Sequence, residues 1–147
     1  MTLLRILETV HGHLGILAAV ALLHPAILLR NGRALTRGMW WSVVLTTAVT
    51  VLAFGTGIAL YDDYRAVVRR ELFAADPTAG LLFETKEHIV WAVLVLTLGA
   101  GAAALLAPKP DRHMRKAAAI VYAVAAAICL VAAGLGTYVA AVRSFPS

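Results

Sequence analysis

The chain has 147 residues, of which 61% are hydrophobic and only 14% charged, and its mean hydropathy is +0.84. So few charges cannot clothe a soluble domain of this size, which excludes a soluble enzyme and removes nucleic acid as the reason for the net charge of +5. The single cysteine, Cys129, excludes an internal disulfide.

Four apolar stretches, 6–29, 39–60, 82–107 and 117–142, are each long enough to cross a bilayer at 1.5 Å per residue. The expected fold is therefore all-α: a single transmembrane domain over 1–147, built as a four-helix bundle of two helical hairpins. The first stretch exceeds the h-region of a secretory signal and carries His11, His13 and His24, so it is read as a retained span. The loop after it, "RNGRALTR", holds Arg30, Arg33 and Arg37, and a Gly closes the turn. The second stretch ends in "FGTGIALY", with Gly55 and Gly57.

The connection 61–81 differs in character. Val67, Val68, Leu72 and Phe73 recur at helical spacing among Arg and Glu, before "ADPTAG" ends the pattern. It is expected to form a short amphipathic helix on the outer membrane surface. The third stretch opens with "ETKEH", containing Glu84, Lys86, Glu87 and His88, where the acids and the lysine read as headgroup-level charges. A second basic loop, "APKPDRHMRK", carries Lys109, Arg112, Arg115 and Lys116. The fourth stretch holds Cys129, read as a small core residue, and ends in "AGLGTYVA" with Gly134 and Gly136. The two short loops contain seven of the thirteen basic residues and one acid, Asp111, which places both loops in the cytoplasm and both termini outside. A multi-pass protein of a bacterial inner membrane is expected.

The two halves resemble one another. "ETVH" at 8–11 answers "ETKEH" at 84–88, and the Gly-x-Gly pairs answer each other, with the offset drifting from 76 to 77 to 79 residues. A parallel repeat about the membrane normal would set His11 and His88 at one depth, facing each other across the bundle. Ionisable groups at membrane depth are costly and mark function. Two imidazoles facing each other suit the axial positions of a haem iron, with Glu8 and Glu84 as acceptors for the remaining ring nitrogens. Flat space for a porphyrin would come from Gly15, Gly55, Gly57, Gly134 and Gly136, and arginines at the outer boundary would meet its propionates.

In its four-span plan and its His pair on the first and third helices, the chain resembles four-helix b-type membrane cytochromes and the quinone-linked membrane anchor subunits of respiratory complexes. That resemblance implies one haem b, electron transfer between the quinone pool and a partner redox subunit, and contact with lipid and other subunits. His13 lies about 200° around the helix from His11 and is expected to face a partner, a quinone or the outer surface. His24, about 16 Å below His13, leaves a second haem open, with His113, Met39 and Met114 as candidate partners. Two alternatives stand beside haem. One is a Cu, Zn or Fe ion held by Glu8, His11, Glu84 and His88. The other is a non-catalytic packing subunit of a larger membrane complex.

Overall fold

The computed structural model describes residues 2–146 as five helices: α1 (Leu3–Leu29), α2 (Arg37–Val67), α3 (Arg69–Ala75), α4 (Pro77–Leu106) and α5 (Arg112–Val142). No strand occurs among the described residues. The four long helices are each long and apolar enough to cross a membrane. Side-chain oxygens cap their N-termini: Thr2 accepts from the Arg5 amide, Thr36 from Met39, Asp76 from Thr78 and Asp111 from Met114. Pro77 occupies the first turn of α4, where its missing N–H costs nothing.

All four helices run past the expected spans. At 30–31 residues, α2, α4 and α5 measure about 45 Å, longer than the hydrocarbon core. The connection 61–81 is consequently divided. Its first residues continue α2 to Val67, its last open α4 at Pro77, and the seven-residue α3 lies between them. Leu72 of α3 is fully buried, and Phe73 lies against Gly80, where an added Cβ would come 2.7 Å from the ring.

α1 packs on α2 and α5, and α4 packs on α5 and more lightly on α2, which sets α1 and α4 at opposite corners. The main core is built from small residues. Ala18 and Ala19 of α1 meet Ala118, Ala119, Ala125 and Ala126 of α5 in one cluster with Leu22 and Tyr122. Without a hydrophobic drive between helices in lipid, close backbone approach and dispersion must hold the contact, and small side chains permit it. Large apolar side chains point outward instead: Val20, Leu52, Val95, Ile120 and Val131 are all more than half exposed.

Two polar devices complete this half of the molecule. Pro25 lies inside α1 and has no N–H for the carbonyl of Ala21. The buried Thr46 hydroxyl of α2 donates to that carbonyl at 3.1 Å, restoring the lost bond. At the same end, Arg115 is 1% exposed and donates to three loop carbonyls: Gly32 at 3.2 Å, Pro108 at 2.9 Å and Lys109 at 2.7 Å. Gly32 sits at φ +65°, and a Cβ there would fall 2.6 Å from the Arg112 carbonyl, so glycine is required. Both basic loops thus lie together at one end of the bundle.

Candidate functional site

The opposite end is organised around a chamber of about 750 Å³, bounded by α1, α2, α4, α5 and the C-terminal segment. Over it sits a second apolar cluster: Leu60, Tyr64, Val68, Leu72, Ala79, Phe83, Val139 and Phe145. Tyr64 stacks on Phe83 at 4.4 Å between ring centroids and meets Phe145 edge-on at 5.7 Å. Three ion pairs brace the surroundings: Arg5 with Glu8 at 2.8 Å, Arg69 with Glu84, and Arg143 with Glu71. Tyr138 donates to Asp76 at 2.9 Å, tying α5 to the start of α4. That hydrogen bond, with help from the backbone amides of Ala79 and Thr78, holds the Asp76 carboxyl below its usual range.

His11, His13 and His88 all line the chamber. The Nδ1–H of His11 donates to the Ala53 carbonyl at 3.0 Å, with the Thr56 hydroxyl at 3.2 Å. His88 donates from Nδ1 to the Glu84 carbonyl at 2.7 Å, and His13 from Nδ1 to the Thr9 carbonyl at 2.7 Å. In each ring a backbone carbonyl, acceptor only, fixes the proton on Nδ1, and Nε2 makes no hydrogen bond among the described residues. The acceptor role expected of the Glu8 and Glu84 carboxylates is therefore filled by the backbone. Those carboxylates are held by Arg5 and Arg69, and only Glu8 borders the chamber.

The two principal histidines are not equivalent. His11 is half-buried, whereas His88 is exposed. Glu8 and His11 are three residues apart, Glu84 and His88 four, and one residue turns a helix by 100°. Counted from the matching glutamates, Glu87 occupies the place of His11, and His88 is turned about 100° from it.

The glycines also divide. Gly15 opens onto the chamber with nothing near an added Cβ. Gly57 is filled by the His11 imidazole, whose Cε1 would lie 2.8 Å from a Cβ, and Gly136 is covered by the Lys86 side chain at 3.6 Å. Gly55 and Gly134 are exposed and do not border the chamber. Of the five glycines, Gly15, Gly57 and Gly136 border the chamber, and of these Gly15, with Gly12 beside it, has nothing near an added Cβ.

His24 is not brought to a second histidine. It hydrogen-bonds Ser42 at 2.9 Å in a separate pocket of about 320 Å³ with Trp41, while Met39 is outside that pocket and His113 is exposed on the first turn of α5. Among the described residues no three of His, Cys, Asp and Glu gather as a metal-ligand group.

Two chamber residues carried no expected role there. Lys86 is one, its ammonium 5.2 Å from the Phe83 ring centroid in the chamber wall. Glu87 follows it, with a buried Oε1 that has no hydrogen-bond partner among the described residues, and the buried Tyr64 hydroxyl has none among them either. The signal was present in the sequence. The buried stripe of α4 runs Ala79, Phe83, Val93, Thr97, Ala100 and Ala104 in steps of three and four, and Lys86 and Val90 fill its missing positions.

Comparison of the chain with protein-family models, with curated proteins and with solved structures finds no match.

Proposed function

We propose that this protein is a multi-pass membrane b-type haem protein that moves electrons between the quinone pool and a partner redox subunit. One observation carries the reading. His11 and His88, from diagonal helices, border a single chamber, each with Nδ1 committed to a backbone carbonyl and Nε2 free. A ligating imidazole usually has its other ring N–H on a carbonyl or carboxylate, which fixes the tautomer and orients the ring. The chamber volume lies within the range of cofactor sites, and Ile16, Phe54, Ile58, Trp91 and Leu94 give it apolar walls.

In this reading His11 and His88 hold the iron. The group would supply one-electron redox chemistry. The chain's own part is positional. Ala53 and Glu84 carbonyls aim the two imidazoles, Gly12 and Gly15 leave room beside α1, and the Tyr64–Phe83–Phe145 cluster excludes water from above. The exposure of His88 puts one face of the site near the surface, where an electron partner or a quinone would approach.

The membrane setting belongs to the same proposal. α1–α2 and α4–α5 form two hairpins whose basic turns, joined by Arg115, face the cytoplasm of a bacterial inner membrane. Both termini and the chamber then lie on the outer side, with α3 as a short amphipathic cap where a partner subunit docks.

The test is a dithionite-minus-ferricyanide difference spectrum of the purified protein with parallel iron analysis. The expected result is a sharp reduced α-band with stoichiometric iron, lost in His11→Ala and in His88→Ala. A spectrum and iron content unchanged in His88→Ala would refute the ligand assignment. A protein without pigment or metal would leave the packing-subunit reading in its place.

A further inference from the structure

Around the chamber three acids are held by three arginines, and two charged side chains, Lys86 and Glu87, are in no ion pair among the described residues. Arg5, Arg69 and Arg143 hold Glu8, Glu84 and Glu71. Lys86 has no carboxylate within 4 Å among the described residues. Its neighbour Glu87 is the next residue on the helix and points about 100° away. The lysine also sits on the buried stripe of α4, so the fold directs it inward. Its ammonium and the Tyr64 ring contact the same Phe83 side chain, and the Tyr64 hydroxyl is buried without a partner. Two unmatched donors, one of them cationic, therefore border one apolar chamber.

An unpaired ammonium at this depth is expensive, and an anion relieves that cost. A neutral ligand would accept from Tyr64 but leave the charge uncompensated. We propose that the chamber binds an amphiphile with an acidic group, its anion held by Lys86 with Tyr64 beside it and its apolar body along α1 and α4. A haem propionate and a fatty-acid carboxylate share this chemistry. The inference uses the same chamber as the haem reading but needs only the chamber and Lys86, so the two fail separately.

The test uses the full chain, purified in detergent and stripped of endogenous ligand. Three probes are titrated: haem, its dimethyl ester (which lacks the two anions) and oleate. Wild type should bind haem at least tenfold more tightly than the ester. Lys86→Met should weaken haem and oleate by roughly ten- to a hundredfold and leave the ester unchanged, whereas Lys86→Arg retains binding of both acids. Oleate binding that depends on Lys86, without any porphyrin binding, would uphold this inference and overturn the haem reading. Equal affinity for haem and its ester would overturn the inference while the haem reading stands. Lys86→Met binding both acids like wild type, or wild type binding neither acid, would also overturn it.

Discussion

The two ends of the bundle are made by the same helices and treat buried polar groups in opposite ways. At the basic end the most demanding groups are answered, and the Tyr122 hydroxyl is the buried polar atom left over among the described residues. Arg115 spends its guanidinium on three loop carbonyls, Thr46 supplies the donor that Pro25 removes, and alanines close the space between helices. At the chamber end Tyr64, Glu87 and Lys86 are left without partners, three imidazoles keep a free nitrogen, and about 750 Å³ stays open. Buried polar groups in native proteins are normally satisfied, so unsatisfied ones gathered on one cavity point to a ligand. On the proposed reading the basic end serves stability and the chamber end binding.

The contrast can be broken most forcefully at its two anchors. Replacing His88 or His11 by alanine should abolish the haem spectrum while leaving helicity and the thermal midpoint of the ligand-free protein nearly unchanged, read by absorption and circular dichroism. Arg115→Leu should do the reverse. Three carbonyls lose a charged donor, which costs on the order of 3 kcal/mol, lowering the unfolding midpoint in detergent while the ligand-free histidine site stays intact.

Glycine substitutions sharpen the comparison within one motif. Gly57→Ala drives a Cβ into the His11 ring and should shift the spectrum or weaken haem retention severalfold. Gly55→Ala enters open space and should stabilise α2 by up to about 1 kcal/mol with no spectral change. Loss of the Thr46 donor in Thr46→Val should cost about 1 kcal/mol of thermal stability and leave pigment content unchanged.

The smallest effect is the pH response of Asp76. Its carboxyl is held below the ordinary range by Tyr138, so the stabilisation is complete above the usual aspartate pKa and is lost as pH falls through the lowered value. Tyr138→Phe should flatten the acid limb of the stability profile without altering the neutral plateau.

The four spans were legible because mean hydropathy over some twenty residues is a strong signal. Their ends were not. Tyr61–Val67 and 77–81 continue the helices through polar residues, where nothing in hydropathy distinguishes helix from surface loop. The sequence places His11 and His88 on the first and third spans and both border the chamber, but their unequal exposure rests on a spacing of three against four residues. One residue more between glutamate and histidine turns His88 by 100° relative to His11. Lys86 and Arg115 were read by charge alone, as headgroup and loop residues. Register was the better guide, because each continues the buried stripe of its helix in steps of three and four. The acceptors for the histidines were backbone carbonyls, which every residue carries and no sequence pattern can mark.

The reach of Arg115 bears on the order in which the chain is assembled. It joins the turn at Gly32 to the turn at Pro108 and Lys109, more than seventy residues away. During synthesis the first two helices therefore leave the ribosome with the Gly32 carbonyl still without its arginine. That contact forms only when the start of the last helix arrives. The turn of the N-terminal half thus gains its charged donor only when the last helix arrives, together with the alanine face on which α1 packs.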